Sequence, residues 1–134
     1  MLSLLFISIL LSFYSSEPKL LKDLRWENRV LILFEGNDLE KDFWEKNLEN
    51  FKERRMAVFY VSQDGVLESN YPDEIAHESL NRMRKNKDSS WILIGLDGAV
   101  KDSGSAENFD LSMLWRKIDS MPMRQSEIRK KGGF

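Results

Sequence analysis

The chain has 134 residues, with 20 basic and 22 acidic side chains and a formal net charge of −2. That length fits one domain with one hydrophobic core, and the near balance of charge argues against a dedicated nucleic-acid-binding protein, which carries a basic excess. There is no cysteine and only one histidine. Disulfides, thiolate zinc sites and thiol nucleophiles are therefore excluded, as is a metal site made of several histidines. No cofactor is predicted.

The first residues form an apolar run from Leu2 to Tyr14 that only serines interrupt. The run is shorter than the about 20 residues that a transmembrane helix needs, and it suits the apolar region of a secretory signal. We therefore predict a signal peptide over residues 1–16, cleaved near Ser16, and a secreted or periplasmic protein. No basic residue precedes the run, and the cleavage site fits poorly. The alternatives are an uncleaved leader, which would be the only membrane contact, and a buried N-terminal element.

The run from Val30 to Phe34 contains only apolar residues, as a central strand covered on both faces requires. A polar corner follows, in which Asn37 or Asp38 can accept hydrogen bonds from the first turn of a helix. Glu40 follows Asn37 at the spacing of a capping box. These residues predict a buried strand, a sharp turn and a capped helix start.

The next segment has the spacing of an amphipathic helix, since Trp44, Leu48 and Phe51 recur at i, i+4 and i+7. The run Met56–Ser62 predicts a second buried strand, and Gln63–Gly65 has the composition of a turn.

Pro72 then fits the first turn of a second helix. Ala76, Leu80 and Met83 form the apolar stripe of that helix, and Trp91–Leu96 predicts a third strand.

Asp97-Gly98 is a strong hairpin signal, because glycine accepts the positive φ of a tight turn. A short returning strand begins at Ala99, and a third helix is predicted from about Phe109 to Met121, where Pro122 ends it. The apolar face of this helix consists of Leu111, Leu114, Ile118 and Met121.

The resulting order, β-α-β-α-β-β-α, predicts an α/β fold. Two βα units indicate parallel pairing with right-handed crossovers, and the hairpin indicates an antiparallel edge. This is the thioredoxin-like arrangement, a mixed sheet with helices on both faces.

Three segments resemble the thioredoxin-like, peroxiredoxin-like domain of unknown function DUF4174 of bacterial exported proteins. They are Leu24–Phe34, Leu93–Lys101 and Ile118–Lys130, the last carrying the pattern ID-x-MPMR-x-x-E. A related domain occurs in a coiled-coil-domain-named matrix protein and at the C-terminus of sushi-repeat-containing secreted proteins. The resemblance covers residues 20–129, leaves 130–134 as a predicted frayed tail, and implies no established reaction. The candidate family-motif or interaction residues are Arg25, Trp26, Asp97, Gly98, Asp119, Pro122, Arg124 and Glu127.

The polar corner lies where thioredoxin-fold enzymes place a reactive thiol at a helix N-terminus. Here residues 35–38 read Glu-Gly-Asn-Asp, and serines precede the third strand where thioredoxins carry a proline. A solvated helix cap is the favoured interpretation. A carboxylate acid/base pair or a calcium site at the corner is the alternative.

Isolated aromatic and histidine residues have structural explanations. Trp44 and Trp91 are expected in the core, Trp26 and Trp115 are less certain, with partial exposure plausible for Trp115, and His77 is expected at the solvent edge of its helix.

The segment after the third helix is expected to leave helical geometry, because Pro122 disfavours it at Met121. We predict that Met123 packs back onto the core and that Arg124 pairs with Asp119 or Glu127, which would be a structural lock. The alternative is that Arg124 and Arg129 present an anion-recognition patch.

Function is predicted as an exported, non-catalytic binding or structural module of unknown ligand, with an unidentified protein as a partner and no nucleic acid. One alternative is a thiol-independent enzyme that uses carboxylates or a cofactor in the former redox cleft. Another is a regulatory partner of a cysteine-bearing paralogue that pairs through a sheet edge.

Overall fold

The structure is a computed structural model that describes residues 17–131, so the predicted signal peptide lies outside the described residues. The elements are, in chain order, a 3-10 turn at Leu21–Leu24, β1 (Arg29–Phe34), α1 (Phe43–Glu53), β2 (Met56–Val61), β3 (Val66–Ser69), α2 (His77–Asn81), β4 (Trp91–Ile94), β5 (Val100–Gly104), a 3-10 turn at Ala106–Asn108, α3 (Leu111–Asp119) and α4 (Pro122–Lys131).

The five strands form one mixed sheet in the order β3-β2-β1-β4-β5. β1 and β2 pair in parallel, whereas the β1–β4, β2–β3 and β4–β5 pairs are antiparallel. The predicted α/β fold with a mixed sheet is confirmed, and the arrangement is consistent with a thioredoxin-like fold.

Two parts of the predicted topology are wrong. The sequence reading had no strand at Val66–Ser69, and it expected the strand at Trp91 to run parallel to its neighbours. β3 instead returns the chain to the end of the sheet where β1 begins, and the connection through α2 then carries the chain to the opposite end. β4 therefore has to run antiparallel to β1.

β1 divides its side chains between two cores, as its unbroken apolar run predicts. Val30, Ile32 and Phe34 pack toward the face covered by the first 3-10 turn and α2. Leu31 and Leu33 pack toward the opposite face, with residues of α1 and α3. All six positions of the strand are buried.

The two faces of the sheet have unequal covers. On one face α1 has 11 residues and α3 has nine, whereas on the other α2 has five and the first 3-10 turn has four. The second face therefore has less helix to cover its apolar side chains.

Helix α1 is rotated relative to the prediction. Phe43 and Phe51 are buried and Trp44 is half-buried, but Leu48 is 45% exposed. The two phenylalanine rings pack with Trp44, so the aromatic residues rather than the leucine set the buried face.

The predicted second helix is shorter than expected. α2 begins at His77 because Ala76 is extended, and Pro72 and Met83 lie outside it. His77 is half-buried, and its Nε2 lies 2.7 Å from the backbone oxygen of Ser62, to which it donates since a carbonyl only accepts.

The C-terminal segment is helical rather than irregular. α3 ends at Asp119 and Pro122 starts α4, a position where proline needs no backbone N–H partner and its φ suits a helix. Met123 is exposed, so its predicted packing onto the core is wrong. α4 continues through Lys131, and the rest of the predicted frayed tail lies outside the described residues.

Candidate functional site

The corner after β1 is occupied by a buried amide. Asn37 is 6% exposed, and its Nδ2 donates to the backbone oxygens of Phe34 at 2.8 Å and Ser90 at 2.7 Å. These bonds join the end of β1 to the residue that precedes β4. The predicted helix cap is wrong, because α1 begins six residues later, after Asp42.

The carboxylates at this corner lie outside the two cavities described in this fold. Glu35 and Asp38 are exposed on either side of Asn37, and neither lines one of the two cavities described in this fold. Within residues 17–131, no cluster of His, Asp and Glu has the grouping of a metal site. These observations give the acid/base and calcium alternatives no support, and both stay predictions.

Charged side chains instead converge where β1 and α4 begin and α1 and α3 end. We call them the arginine cluster. Its members are Arg29, Glu53, Arg54, Arg55, Asp119, Arg124 and Glu127.

Arg29 is the most deeply buried member, at 1% exposed. Its Nη1 donates to the backbone oxygen of Arg54 at 2.9 Å and to both carboxylate oxygens of Glu127, at 3.2 and 3.0 Å. Burial lowers the pKa of Arg29 despite the attraction of Glu127, yet a guanidinium stays protonated in proteins. Glu127 is therefore the counter-ion that compensates a buried positive charge.

Arg124 confirms the predicted ion pair with Asp119. Its Nε donates to Asp119 Oδ1 at 2.9 Å, and its Nη1 and Nη2 donate to the backbone and side-chain oxygens of Glu53. Arg124 is only 3% exposed, whereas Arg129 is exposed. The geometry thus supports a structural lock that holds α4 against the end of α1.

Arg54 completes the environment of Asp119. Its Nε and Nη2 donate to the two carboxylate oxygens at 3.1 and 2.8 Å, and its guanidinium lies over the ring of Trp115. Two arginines therefore donate to one carboxylate, and the planar guanidinium of Arg54 suits its bidentate bonding.

Asp119 makes the fold sensitive to acid. Burial opposes its charge, but the hydrogen bonds from Arg54 and Arg124 outweigh burial and hold the pKa of Asp119 below its ordinary value. Because the folded-state pKa is depressed, ionised Asp119 stabilises the fold above the unfolded-state pKa of about 4. That contribution is lost as the pH falls from there through the folded-state pKa.

We therefore expect the difference in unfolding free energy between the natural chain and Asp119→Asn to shrink as the pH falls below about 4. Urea titrations across this range measure it. Ile118→Val is the control, since it costs about 0.5–1.5 kcal/mol without removing a carboxylate, and its difference should not change with pH. Parallel curves for the two variants would contradict the assignment.

Arg55 contacts two of the predicted motif residues, Trp26 and Glu127. Its Nη2 donates to the backbone oxygen of Trp26 at 3.0 Å, and its Nη1 lies 3.6 Å from Glu127 Oε1. Trp26 is 57% exposed and has a φ of 70°, in the left-handed region. Its N–H donates to the backbone oxygen of Leu96 at 2.7 Å, so this contact and the Arg55 bond hold the strained residue in place.

Asp97 and Gly98 form the turn between β4 and β5, as predicted. The Asp97 carboxylate accepts from Ala99 N–H at 3.0 Å and from Lys101 Nζ at 2.9 Å. Gly98 has a φ of +83°, and a Cβ there would lie 2.8 Å from Arg25 Nε. Glycine therefore serves both the turn and the close approach of the Arg25 guanidinium.

Arg25 and Gly98 both line an open pocket of about 370 Å³, which we call the N-terminal pocket. It lies on the thinly covered face of the sheet. Its lining residues are Leu20, Leu21, Lys22, Leu24, Arg25, Asn28, Val30, Ser79, Arg82, Met83, Ile94, Gly95 and Gly98.

Hydrogen bonds fix the two walls of the N-terminal pocket. The Leu21 N–H donates to Ser79 Oγ at 3.1 Å, which joins the 3-10 turn to α2. The backbone of Lys19 exchanges bonds with Glu74 and Ala76 at 2.9 and 2.8 Å. The first bond joins two lining residues directly, and the other two tie the segment before the 3-10 turn to the segment before α2.

The eight predicted site residues thus separate into two places. Arg25 and Gly98 line the N-terminal pocket, and Asp97 and Trp26 adjoin those two residues in sequence. The arginine cluster includes Asp119, Arg124 and Glu127. Pro122 starts α4, the helix that carries Arg124 and Glu127. The burial of Arg29 and Arg54 was not predicted from the sequence. Arg29 directly precedes an apolar run, and an arginine in that position is a usable signal for a buried ion pair.

No described helix is both long and apolar enough to cross a membrane. The sequence model of DUF4174, described as a domain of unknown function, matches residues 20–127 of this chain. No curated protein and no solved structure gives a significant match.

Proposed function

The chain belongs to the DUF4174 family of domains of unknown function, and we propose that it is a non-catalytic binding module. We infer from its own geometry that its ligand binds in the N-terminal pocket. The observation that carries this proposal is the position of that pocket. It opens on the thinly covered face, beside the start of β1. The corner at the other end of β1, where a thioredoxin-like scaffold places its thiol, is occupied by the Asn37 amide.

The character of the pocket also supports binding. Small-molecule sites are concave, of about 300–1,000 Å³, and mostly apolar with a few placed polar groups. The N-terminal pocket has that volume. Its accessible apolar lining comes from Leu20, Leu21 and Met83, while the buried Leu24 and Ile94 complete its floor.

Export is part of the same proposal and rests on the apolar run Leu2–Tyr14. It would place the binding module in the periplasm or the medium. The mass of the N-terminus of protein recovered from its own host tests this part, and an intact leader in a cytoplasmic fraction would contradict it.

Titration of the full chain with the uncharged fluorophore N-phenylnaphthylamine tests the binding proposal. Excitation beyond the absorption of tryptophan keeps energy transfer out of the signal. We expect saturable binding at one site per chain. Met83→Trp fills the wall of the N-terminal pocket and should weaken binding on the order of tenfold.

Met113→Trp is the matched control, because Met113 lies exposed on α3, away from the pocket lining. Its affinity should equal that of the natural chain. Absence of saturable binding, or equal loss in both tryptophan variants, would overturn the proposal.

A further inference from the structure

The rim of the N-terminal pocket is cationic. Lys22, Arg25 and Arg82 line the pocket, and its lining contains no carboxylate. In a chain with more acidic than basic residues, three cations around one apolar floor are a local excess of positive charge.

Two of these cations have no counter-ion in the part of the chain that the structure describes. Neither Lys22 nor Arg25 takes part in an ion pair there, whereas Arg82 pairs with Glu78 at 2.9 Å. That pair is exposed on both sides, and such pairs hold their partners weakly.

The missing Cβ of Gly98 leaves room for the Arg25 guanidinium against the turn. A guanidinium presents a planar set of donors that matches a carboxylate. Asp23 is not among the lining residues, and its carboxylate accepts a hydrogen bond from the Leu20 N–H at 2.9 Å.

From the apolar floor and this cationic rim, we propose that the ligand of the N-terminal pocket is a small amphiphilic carboxylate with a hydrocarbon chain. The chain would lie against Leu20, Leu21 and Met83, the accessible apolar side chains of the lining, and the carboxylate would meet Lys22 and Arg25. This inference rests on the binding function proposed above and names its ligand class. The volume of about 370 Å³ favours a small molecule over a folded partner.

Displacement of bound N-phenylnaphthylamine tests the ligand class. Decanoate, decanol and decylammonium carry the same hydrocarbon chain with different head groups, and each is used below its micelle concentration. We expect decanoate to displace the fluorophore at concentrations lower than decanol by on the order of tenfold, and decylammonium to be the weakest.

The double variant Lys22→Gln/Arg25→Gln should bring decanoate to the affinity of decanol. The readout is the ratio of the decanoate and decanol affinities measured in the same variant, so a change in fluorophore binding affects both ligands and cancels. Lys52→Gln/Arg116→Gln is the control, because it removes the same two charge types from exposed positions on α1 and α3. That control should keep the preference for decanoate.

The outcomes separate this inference from the binding proposal. If the fluorophore binds but decanoate and decanol displace it equally, the ligand class is wrong and the binding site stands. If an acidic peptide with one leucine displaces the fluorophore and decanoate does not, the ligand is a peptide and the inference fails. Absence of fluorophore binding overturns both proposals.

Discussion

Replacement of Glu127 by alanine is expected to lower the free energy of unfolding by about 3–5 kcal/mol, because it leaves a buried cation without its counter-ion. Arg29 is the cation, bonded through Nη1 to both oxygens of Glu127. After the substitution it keeps only the backbone oxygen of Arg54 as an acceptor. Urea unfolding of the full chain at neutral pH measures the change.

The double variant Arg29→Met/Glu127→Met separates a missing counter-ion from a packing defect. Replacing both members of a buried pair with apolar side chains is often neutral or stabilising, so the double variant should recover most of the stability lost in Glu127→Ala. Glu49→Ala, on the exposed side of α1, is the surface control and should stay within about 0.5 kcal/mol of the natural chain. Equal effects of Glu127→Ala and Glu49→Ala would contradict the role of Glu127.

Replacement of Arg124 by alanine is expected to cost about 1.5–3 kcal/mol, the range for hydrogen bonds to charged groups. The loss is smaller than for Glu127, because Asp119 keeps its bonds to Arg54 and Glu53 is partly exposed. Thermal or urea unfolding measures it.

Arg129→Ala is the matched control for Arg124→Ala. Both arginines lie on α4, but Arg129 is exposed, and among residues 17–131 its side chain bonds only to Ser126. A structural lock predicts lower stability in the Arg124 variant alone. Unchanged stability of Arg124→Ala together with lost binding to an anionic partner would instead support the anion-recognition patch.

Local patterns predicted the centre of this fold. A central strand between two helical layers buries every side chain of the unbroken run Val30–Phe34, and the structure shows this arrangement. Asp97-Gly98 predicted the β4–β5 turn because the positive φ is a property of the turn itself.

The missed strand depends on a distant contact. β3 is largely exposed and has no buried alternation to mark it. Asn70, just after β3, completes the pairing with its side chain, which accepts from the Val58 N–H and donates to the Met56 oxygen. A turn-forming residue in the sequence therefore acts as part of the sheet edge.

The tail was mispredicted for a different reason. Proline ends one helix and is favourable at the start of the next, so Pro122 alone does not say whether a helix follows. The carboxylates that hold Arg124 include Glu53, 71 positions away, and no local pattern contains that contact.

The family pattern named Arg25 and Gly98, which line the N-terminal pocket, and three members of the arginine cluster, and a functional role for any of them stays a prediction. Most of the N-terminal pocket was not found, because its walls come from segments far apart in the chain, such as Leu21 and Ser79. A short apolar residue gives no sign in sequence that it borders empty space.

The unequal helical cover of the sheet bears on how a ligand would enter. This face is covered by a five-residue helix and a single 3-10 turn, so we expect it to open locally before the better covered face does. Because the N-terminal pocket is already open to solvent, the proposed ligand would enter without such an opening, and local opening of this layer would only deepen the site.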